Sequence, residues 1–277
     1  MKRSLSTILI IIIFIAGGSI FLYPAISNFL YEKNASQAIQ EHKEKIDSMS
    51  PEEMKAEKKA VKEYNKSLVD NAVVLTDPFD PDAFPITVGN YKELLARDEV
   101  MGYIEIPCID VNLPIYHGTS DEVLEKGAGH LENTSLPMGG ESTHAVISAH
   151  CGLPSARLFT DLISVEKGDT FNIYVLDEIL TYQVYDIEKV LPDDTSSLLI
   201  EKERDLATLI TCTPYGENTH RLLVHGKRIK TNTQSKVTSK NHAGMPWERI
   251  MKYAAMAISL LFLIIVLAEL RRNKKRK

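Results

Sequence analysis

The chain has 277 residues, of which 44% are hydrophobic and 25% are charged, so it is neither disordered nor collagen-like. Its net charge is −5, although eight basic residues lie at the two ends. Without those eight charges, residues 4–270 carry a net charge of −13. Because neutralising phosphates requires a basic face, this acidic interior argues against nucleic acid as a partner.

Two long apolar runs lie just inside the basic ends. No charged residue occurs in residues 4–31, and a shorter apolar run over residues 253–268 precedes six basic residues. The positive-inside rule therefore predicts two transmembrane helices, with both termini in the cytoplasm and an extracellular region between them. A cleaved signal peptide is the alternative for the first run, but the run exceeds the usual apolar core of about 7–15 residues. A buried core helix is the alternative for the second run.

The region after the first apolar run changes in composition twice. Residues 32–70 are rich in Glu, Lys and Ala and are predicted to form two helices, the second with Ser50 as its N-cap and Pro51 at its first position. We interpret them as a solvated helical stalk between the membrane and the next domain. Residues 71–97 follow, and the run DPFDPD at 77–82 excludes a helix or a central strand. This segment is predicted to be a loop.

Residues 98–230 alternate short apolar runs with turn residues, which is typical of an all-β barrel or sandwich. Two short helical patches interrupt the strands and are too few for a parallel α/β sheet. A domain of this size can bury a core without disulfides. The predicted strands cover residues 103–106, 111–116, 145–148, 171–176, 180–190, 206–211 and 222–229, and the helical patches cover 121–126 and 155–162.

The whole chain is thus predicted to be organised around one extracellular domain. The segments are an N-terminal cytoplasmic stub with a transmembrane helix (1–31), the stalk (32–70), a loop and entry to the barrel (71–97), the β domain (98–230), a linker (231–246), a C-terminal transmembrane helix (247–270) and a basic cytoplasmic tail (271–277).

Cys212 is the strongest candidate for chemistry. It comes directly after a predicted strand and before the turn TPYG, which would present its thiol at a barrel rim. A thiol must lose its proton to attack a carbonyl, and the ends of other strands offer His150 as a base and Arg221 as a cation for an oxyanion. Together these residues predict a cysteine acyl-transfer site. The alternatives are a buried apolar cysteine, a turn histidine and an arginine in a surface ion pair.

Metal and phosphate chemistry find less support in the sequence. His220 and His225 lie five apart on one predicted strand and therefore point to opposite faces. The sequence has no Cys-x-x-Cys or His-x-x-x-His motif for zinc and no glycine loop for phosphate. Cys108, Cys151 and Cys212 are an odd number for an extracellular domain, so at least one thiol is expected to be unpaired.

Three blocks of sequence resemble the signature of sortases, specifically the pilus-assembling class C. They read LITCTPYGENTHRLLV at 209–224, LPIYHGT at 113–119 and SAHCGLPSA at 148–156. The resemblance extends nearly continuously over residues 100–229, and the two flanking membrane helices also fit class C. It implies a mostly β fold, an eight-stranded sortase-type β-barrel with short helices, an N-terminal helical extension and a lid loop.

The resemblance also implies a membrane-tethered cysteine transpeptidase at a Gram-positive-type cell surface. Cys212 would attack the Thr–Gly bond of a Leu-Pro-X-Thr-Gly-like sorting signal on a pilin precursor and form a thioester with the threonine. His150 would act as general acid and base, and Arg221 would hold the oxyanion and position the signal. A lysine amine of the next pilin would then accept the acyl group. No cofactor and no metal are implied.

The same class carries a lid with an Asp-Pro-aromatic motif, which Asp77, Pro78 and Phe79 match. The resemblance implies that Asp77 pairs with Arg221 and that Phe79 covers Cys212 until substrate arrives. A carboxylate on the arginine would block a substrate carbonyl, and an apolar ring would shield the thiol from water and oxidants. The alternative is a proline-rich surface loop without a gating role.

Two residues depart from the pattern of the class. Cys151 follows His150 where arginine is frequent, and Ala149 precedes it where glycine is usual. Cys151 introduces a second thiol near the site, and a disulfide with Cys212 is an alternative that would switch the enzyme off. Cys108 is expected to be a strand residue without chemistry.

Pilin polymerisation is thus the leading hypothesis, with pilin precursors and the lipid bilayer as the implied partners. One alternative is a sortase that anchors surface proteins to peptidoglycan through the same three residues and a wall-precursor amine. The other is a membrane-bound binding or redox-sensing module in which Cys151 and Cys212 pair reversibly. The lid motif and the second membrane helix favour pilin polymerisation.

Overall fold

The structure is a computed structural model that describes residues 2–70, 74–80 and 88–231, together with Tyr253 and Met256 in helical conformation. The predicted linker, second membrane helix and basic tail therefore lie almost wholly outside the described residues. Residues 74–80, the described part of the predicted loop that carries Asp77, Pro78 and Phe79, are called the lid segment below.

Two helices precede the barrel. Helix α1 covers Lys2–Asp47 and α2 covers Pro51–Asp70. Ser50 caps α2 as predicted, because its hydroxyl accepts a hydrogen bond from the Glu53 N–H at 3.2 Å while the Glu53 carboxylate accepts one from the Ser50 N–H at 2.9 Å. The predicted membrane segment and the first stalk helix are one continuous helix, with Pro24 in its interior.

The N-terminal half of α1 is suited to a membrane. From Ile12 onward, α1 is the one helix among the described residues that is long and apolar enough to cross a bilayer. Its large apolar side chains are exposed, with 62% of Ile13, 76% of Ile20 and 65% of Phe29 accessible. Exposure of apolar groups on this scale is unfavourable in water and agrees with the predicted N-terminal membrane helix.

The prediction of a solvated stalk is wrong, because the C-terminal part of α1 and most of α2 pack against the barrel. Ile39 and Ile46 of α1 and Val61 and Leu68 of α2 are each no more than 7% exposed. Val61, Tyr64 and Leu68 recur at helical spacing and join the main core cluster. The sequence prediction missed this narrow apolar stripe because Glu and Lys dominate the composition of the segment.

Eight strands form a closed barrel, as expected. Its strand order is first, second, third, fourth, seventh, eighth, sixth and fifth, and the fifth pairs back to the first. The strands are β1 Val100–Ile106, β2 Val111–His117, β3 Ala128–His130, β4 Thr143–Ser148, β5 Thr170–Val175, β6 Glu178–Val190, β7 Asp205–Thr213 and β8 His220–Arg228. Pairs β2–β3 and β4–β7 are parallel, and the other pairs are antiparallel.

Local differences from the sequence prediction are confined to short elements. The residue pattern missed β3, which has three residues and a glycine at its centre. Helix α3, Asp121–Lys126, is confirmed, whereas the patch expected over 155–162 is replaced by a 3-10 helix at Thr160–Ser164. Cys108 lies in a 3-10 helix, Pro107–Ile109, and not in a strand.

Strands β4, β7 and β8 are apolar on both faces. Successive side chains of a strand point to opposite faces, so Ala207 and Leu209 enter the barrel core while Ile210 lies outside it. The outside residues form a second group, called the outer apolar cluster: Leu131, Val146, Leu198, Ile210 and Leu223. Leu75 and Phe79 of the lid segment and Val190 of β6 pack on this cluster and cover it.

Candidate active site

Cys212 and Arg221 are register partners on β7 and β8. Paired residues of neighbouring strands point their side chains to the same face, so the thiol and the guanidinium lie side by side on the outer face of the barrel. Each residue is only 7% exposed. Cys212 therefore lies one residue before the end of β7, close to the strand end that the sequence predicts, and its side chain is buried.

His150 reaches the same level of the barrel through β4, which runs parallel to β7. Beyond β4 the contact continues: the Ala149 N–H donates to the Ile210 carbonyl at 3.2 Å, and the Thr211 hydroxyl donates to the Ala149 carbonyl at 2.7 Å. Extending this register by two residues brings His150 to the level of Cys212. Burial lowers the pKa of His150, opposed by the negative charges of Asp121 and Glu125.

Asp77 of the lid segment binds Arg221 with both carboxylate oxygens. Arg221 Nε donates to Asp77 Oδ1 at 2.8 Å and Arg221 Nη2 donates to Asp77 Oδ2 at 2.5 Å. The two side chains are 10% and 9% exposed, so this is a buried, bidentate ion pair. Arg221 Nη1 donates to the carbonyls of Asn218 and His220 at 2.9 and 3.1 Å, which fixes the guanidinium in place.

Phe79 lies over the two polar partners of the thiol. Its ring centroid is 5.8 Å from that of His150 and 5.2 Å from Arg221 Cζ. The ring therefore occupies the space in front of the base and the cation, and it continues into the outer apolar cluster. That it also shields the Cys212 thiol stays a prediction.

The closed arrangement suppresses the reactivity of Cys212. Burial, together with the charges of Asp77 and Cys151, raises the pKa of the Cys212 thiol to about 11, and Arg221 lowers it by less. The nucleophile of acyl transfer is the thiolate, so a thiol in this state is nearly unreactive at neutral pH. Displacing Asp77 would remove a raising influence and leave Arg221 as the charge beside the sulfur.

The three cysteines are all free thiols in this structure. Cys151 is partly buried and its pKa is raised by burial, whereas Cys108 is fully buried in the barrel core. The disulfide between Cys151 and Cys212 is therefore not formed here. Among the described residues, no group of three or more His, Cys, Asp or Glu side chains is arranged to hold a metal ion.

Sequence reasoning missed the outer apolar cluster beside these residues, which Leu75 and Phe79 of the lid segment cover. On the same strand as Val146, the hydroxyl of Ser148 is buried without a hydrogen-bond partner among the described residues. The sequence signal for this cluster lies in β7, because residues 206–210 are mostly apolar at both odd and even positions. A strand of that kind is covered on both faces.

Comparison with known proteins agrees with this geometry. Residues 104–229 match the model of the sortase domain. The chain is 35% identical over 137 residues to sortase A of Streptococcus agalactiae serotype III, which covers 48% of this chain and 54% of that protein. It is 32% identical over 134 residues to sortase D of Bacillus subtilis, which covers 47% and 65%. The chain thus spans roughly half to two thirds of the length of these curated relatives.

Solved structures extend the likeness beyond the barrel. A sortase C of Streptococcus pneumoniae is 44% identical, with a TM-score of 0.65 over 72% of this chain and 100% of that one. A pilus-related sortase C of Group B Streptococcus is 46% identical, with a TM-score of 0.65 over 69% of this chain and 96% of that one. The barrel fold, the match to the sortase domain and the similarity to these solved structures show that the chain belongs to the sortase family, whose members are cysteine transpeptidases.

Proposed function

We propose that this protein is a membrane-anchored transpeptidase that joins pilin subunits through a thioester on Cys212. The observation that carries the proposal is the register pairing of Cys212 with Arg221, with His150 held alongside by the β4–β7 contact. This register supports a nucleophile, a cation and a base on one face of the barrel. The lid segment, with Asp77 bound to Arg221 and Phe79 against His150, provides the cover that a regulated acyl-transfer site would need.

The first half-reaction cleaves the sorting signal. The Cys212 thiol passes its proton to His150, and the sulfur attacks the threonine carbonyl of a Leu-Pro-X-Thr-Gly-like peptide. Arg221 stabilises the oxyanion of the tetrahedral intermediate by charge and hydrogen bonding. His150 returns the proton to the departing glycine amine as the C–N bond breaks, which leaves a thioester between threonine and Cys212.

The second half-reaction forms the new bond. A lysine amine of the next pilin gives a proton to His150 and attacks the thioester carbonyl. The C–S bond breaks, Cys212 regains its proton, and the product is an isopeptide bond between pilins. The thioester conserves the energy of the cleaved peptide bond, so the reaction needs no nucleotide.

The lid segment must move before either step. Asp77 accepts hydrogen bonds from Arg221 Nε and Nη2, and Phe79 lies against His150. A substrate carbonyl has to replace the carboxylate on Arg221. We infer that Asp77, Pro78 and Phe79 form a gate that keeps the thiol protonated and covered until a sorting signal binds.

The position of the enzyme follows from α1. Its apolar N-terminal half supports anchorage in the cell membrane, and the basic residues before it support a cytoplasmic N-terminus. The barrel would then face the extracellular side, where pilin precursors emerge. The second membrane helix and a cytoplasmic C-terminus belong to the same proposal.

The choice of pilin over cell-wall precursor rests on two supports. The lid motif occurs here in contact with Arg221, and the solved neighbours include a sortase C described as pilus-related and another described in terms of pilin substrate specificity. The test offers the full-length protein in detergent micelles a Leu-Pro-X-Thr-Gly peptide together with either a lysine-bearing pilin peptide or a peptidoglycan stem-peptide amine.

Mass spectrometry then identifies the product. Isopeptide formation with the lysine side chain, lost in Cys212→Ala and kept in Cys151→Ala, supports the proposal. Exclusive transfer to the stem-peptide amine contradicts pilin polymerisation and supports wall anchoring. Formation of a Cys151–Cys212 disulfide without any peptide product supports the redox module instead.

A further inference from the structure

Two segments of the barrel domain are hydrogen-bonded to the same turn of α1. The Asn28 amide oxygen accepts from the Arg157 backbone N–H at 2.9 Å, and the Tyr31 hydroxyl donates to the Lys126 carbonyl at 3.1 Å. Arg157 lies in the connection between β4 and β5, and Lys126 is the last residue of α3. None of these four residues takes part in the acyl transfer described above.

This turn of α1 lies where the uncharged run of the sequence ends. No charged residue occurs in residues 4–31, and a hydrocarbon core of about 30 Å needs about 20 helical residues. The core therefore covers residues 4–23 at one limit and residues 11–30 at the other. Since the helix rises about 1.5 Å per residue, Asn28 lies between about 8 Å outside the hydrocarbon boundary and about 3 Å inside it.

The headgroup layer of a bilayer extends about 5–8 Å beyond the hydrocarbon on each side. At either limit, the barrel segments that are bound to Asn28 and Tyr31 therefore reach the headgroup layer. The apolar side chains of Ile26, Phe29 and Leu30 are exposed around the same turn of α1, which agrees with lipid at this level.

The same two barrel segments flank the proposed base, His150. In the β4–β5 connection, the Phe159 N–H donates to the His150 carbonyl at 3.0 Å. From α3, Asp121 and Glu125 act on His150 electrostatically. The part of α1 that reaches the bilayer surface is thus bound to the segments beside His150.

The chemistry of this surface fits a lipid layer without selection for anionic lipids. Its two basic side chains already have acidic partners, because Arg157 pairs with Asp161 and Lys126 pairs with Glu99 at 3.2 Å. The surface therefore presents no excess positive charge to anionic headgroups. Ile163 of the β4–β5 connection is 61% exposed, and apolar side chains of this kind enter the boundary between headgroups and acyl chains.

We propose that the barrel rests on the outer surface of the bilayer through the end of α3 and the β4–β5 connection, with Ile163 between the lipid headgroups. Asn28 and Tyr31 hold the barrel in this position and are positioning residues. The inference rests on the membrane anchorage in the proposed function, and it does not depend on the acyl transfer.

Asp177 provides a reference site at the opposite end of the barrel. It lines one cavity with Ile46 and Asp47, near the C-terminal end of α1, whereas Lys126 is bound to Tyr31. The two sites are therefore about 23 Å apart along the helix axis. The side chains of Asp177 and Lys126 are both about half exposed, so either position can carry a fluorophore.

The experiment measures the depth of single labels in full-length protein reconstituted in phosphatidylcholine vesicles. The background is Cys151→Ala with Cys212→Ala, in which the remaining Cys108 is fully buried. A bimane fluorophore is attached to one introduced cysteine at a time. The quencher is either a nitroxide on the lipid headgroup or iodide in the water. The labelled variants are Lys126→Cys, Ile163→Cys and Asp177→Cys.

The position of the label should decide which quencher is effective. We expect bimane at positions 126 and 163 to lose most of its fluorescence to the headgroup nitroxide. Bimane at position 177 should keep its fluorescence with that lipid and lose it to iodide.

A pair of double variants tests the role of the α1 turn. Asn28→Leu with Tyr31→Phe removes both hydrogen bonds, which should lower the ratio of seated to released barrel by about thirtyfold. Asn34→Leu with Tyr23→Phe is the matched control, because it makes the same two changes at exposed positions of α1. Headgroup quenching at position 126 should fall in the first pair and stay at the unsubstituted level in the control.

Each contrary outcome overturns a defined part of the proposal. Equal headgroup quenching at positions 126 and 177 overturns the seating of the barrel on the bilayer. A label at position 126 that neither quencher reaches is covered by protein, which overturns lipid as the partner. Equal quenching in the two double variants overturns the role of Asn28 and Tyr31.

Failure of the proposed function shows separately from failure of this inference. The depth measurement needs no catalysis, because Cys212 is absent from the labelled protein. Vesicles that do not retain the protein refute the anchorage itself and the inference with it. Absence of a thioester adduct in the wild type, together with the expected quenching pattern, refutes the acyl transfer alone.

Discussion

Removing the Asp77 carboxylate tests how the lid segment controls the nucleophile. In Asp77→Ala, the bidentate bonds to Arg221 Nε and Nη2 are lost, and Arg221 is left beside Cys212 without the carboxylate that pairs with it among the described residues. Arg221 lowers the pKa of the thiol, whereas Asp77 and burial raise it. The variant is therefore expected to expose and activate Cys212.

Two estimates of the size agree. A thiol pKa of about 11 leaves roughly one thiolate per ten thousand thiols at pH 7. An open lid segment that relieves burial, the largest cause of the shift, together with the Asp77 charge would raise that fraction by up to about a hundredfold, the value reached at the ordinary pKa of about 9. Independently, breaking a buried ion pair costs about 3 kcal/mol, which shifts a closed-to-open equilibrium of the lid segment by about a hundredfold. Labelling should therefore accelerate by at least about tenfold, even when the two effects overlap.

The assay is the rate of iodoacetamide labelling of full-length protein at pH 7, followed by mass spectrometry in a Cys151→Ala background. Cys108 is 0% exposed and should not react. Glu217→Ala is the control, because it removes an exposed carboxylate from the β7–β8 connection, and Arg221 makes its own bonds to Asp77, Asn218 and His220. Labelling of Asp77→Ala within about twofold of the Glu217→Ala rate would refute the gating argument.

Two further predictions concern stability. Burial lowers the pKa of His130 and of His144 to about 4, so the unfolded chain binds protons that the folded chain does not. The free energy of unfolding should therefore fall as the pH drops from about 6.5 to 4, by about 3 kcal/mol for each histidine. Denaturant unfolding in micelles across that range should show this loss, and it should be smaller in His130→Gln; a stability that rises toward pH 4 contradicts the assignment. Asn65→Ala removes the paired bonds of 2.9 and 2.7 Å that join α2 to Leu136, and it should destabilise the barrel by about 2 kcal/mol, measured against the surface control Lys66→Ala. Equal unfolding midpoints for these two variants would mean that α2 is not clamped through Asn65.

The barrel was predictable because its strands are short, apolar and separated by turn residues. Seven strands follow from that pattern, and the resemblance supplied the eighth. Strand β3 is too short, and its central Gly129 too poor a strand former, to give a pattern. The packing of α1 and α2 was missed because the buried residues are scattered among many charged ones, so that a helix with a narrow contact stripe has nearly the same composition as a solvated helix.

The resemblance brought forward Cys212, His150 and Arg221 as candidates because they carry the motifs, and the contact that it implied between Asp77 and Arg221 is present. The resemblance implied cover over Cys212, and Cys212 is buried beside the outer apolar cluster, on which Leu75 and Phe79 of the lid segment pack. The contact of 2.8 Å between the Thr208 hydroxyl and His225 Nδ1 also depends on the register of β7 against β8, which a single sequence does not give.

The most direct test of the central claim is the intact mass of the full-length protein after brief incubation with a Leu-Pro-X-Thr-Gly peptide, followed by peptide mapping. The account predicts a hydroxylamine-labile adduct of the Leu-Pro-X-Thr fragment on the peptide that contains Cys212. The adduct should be absent in Cys212→Ala, present in Cys151→Ala and more abundant in Asp77→Ala. An adduct on Cys151, or an adduct that persists in Cys212→Ala, would contradict the assignment of the nucleophile.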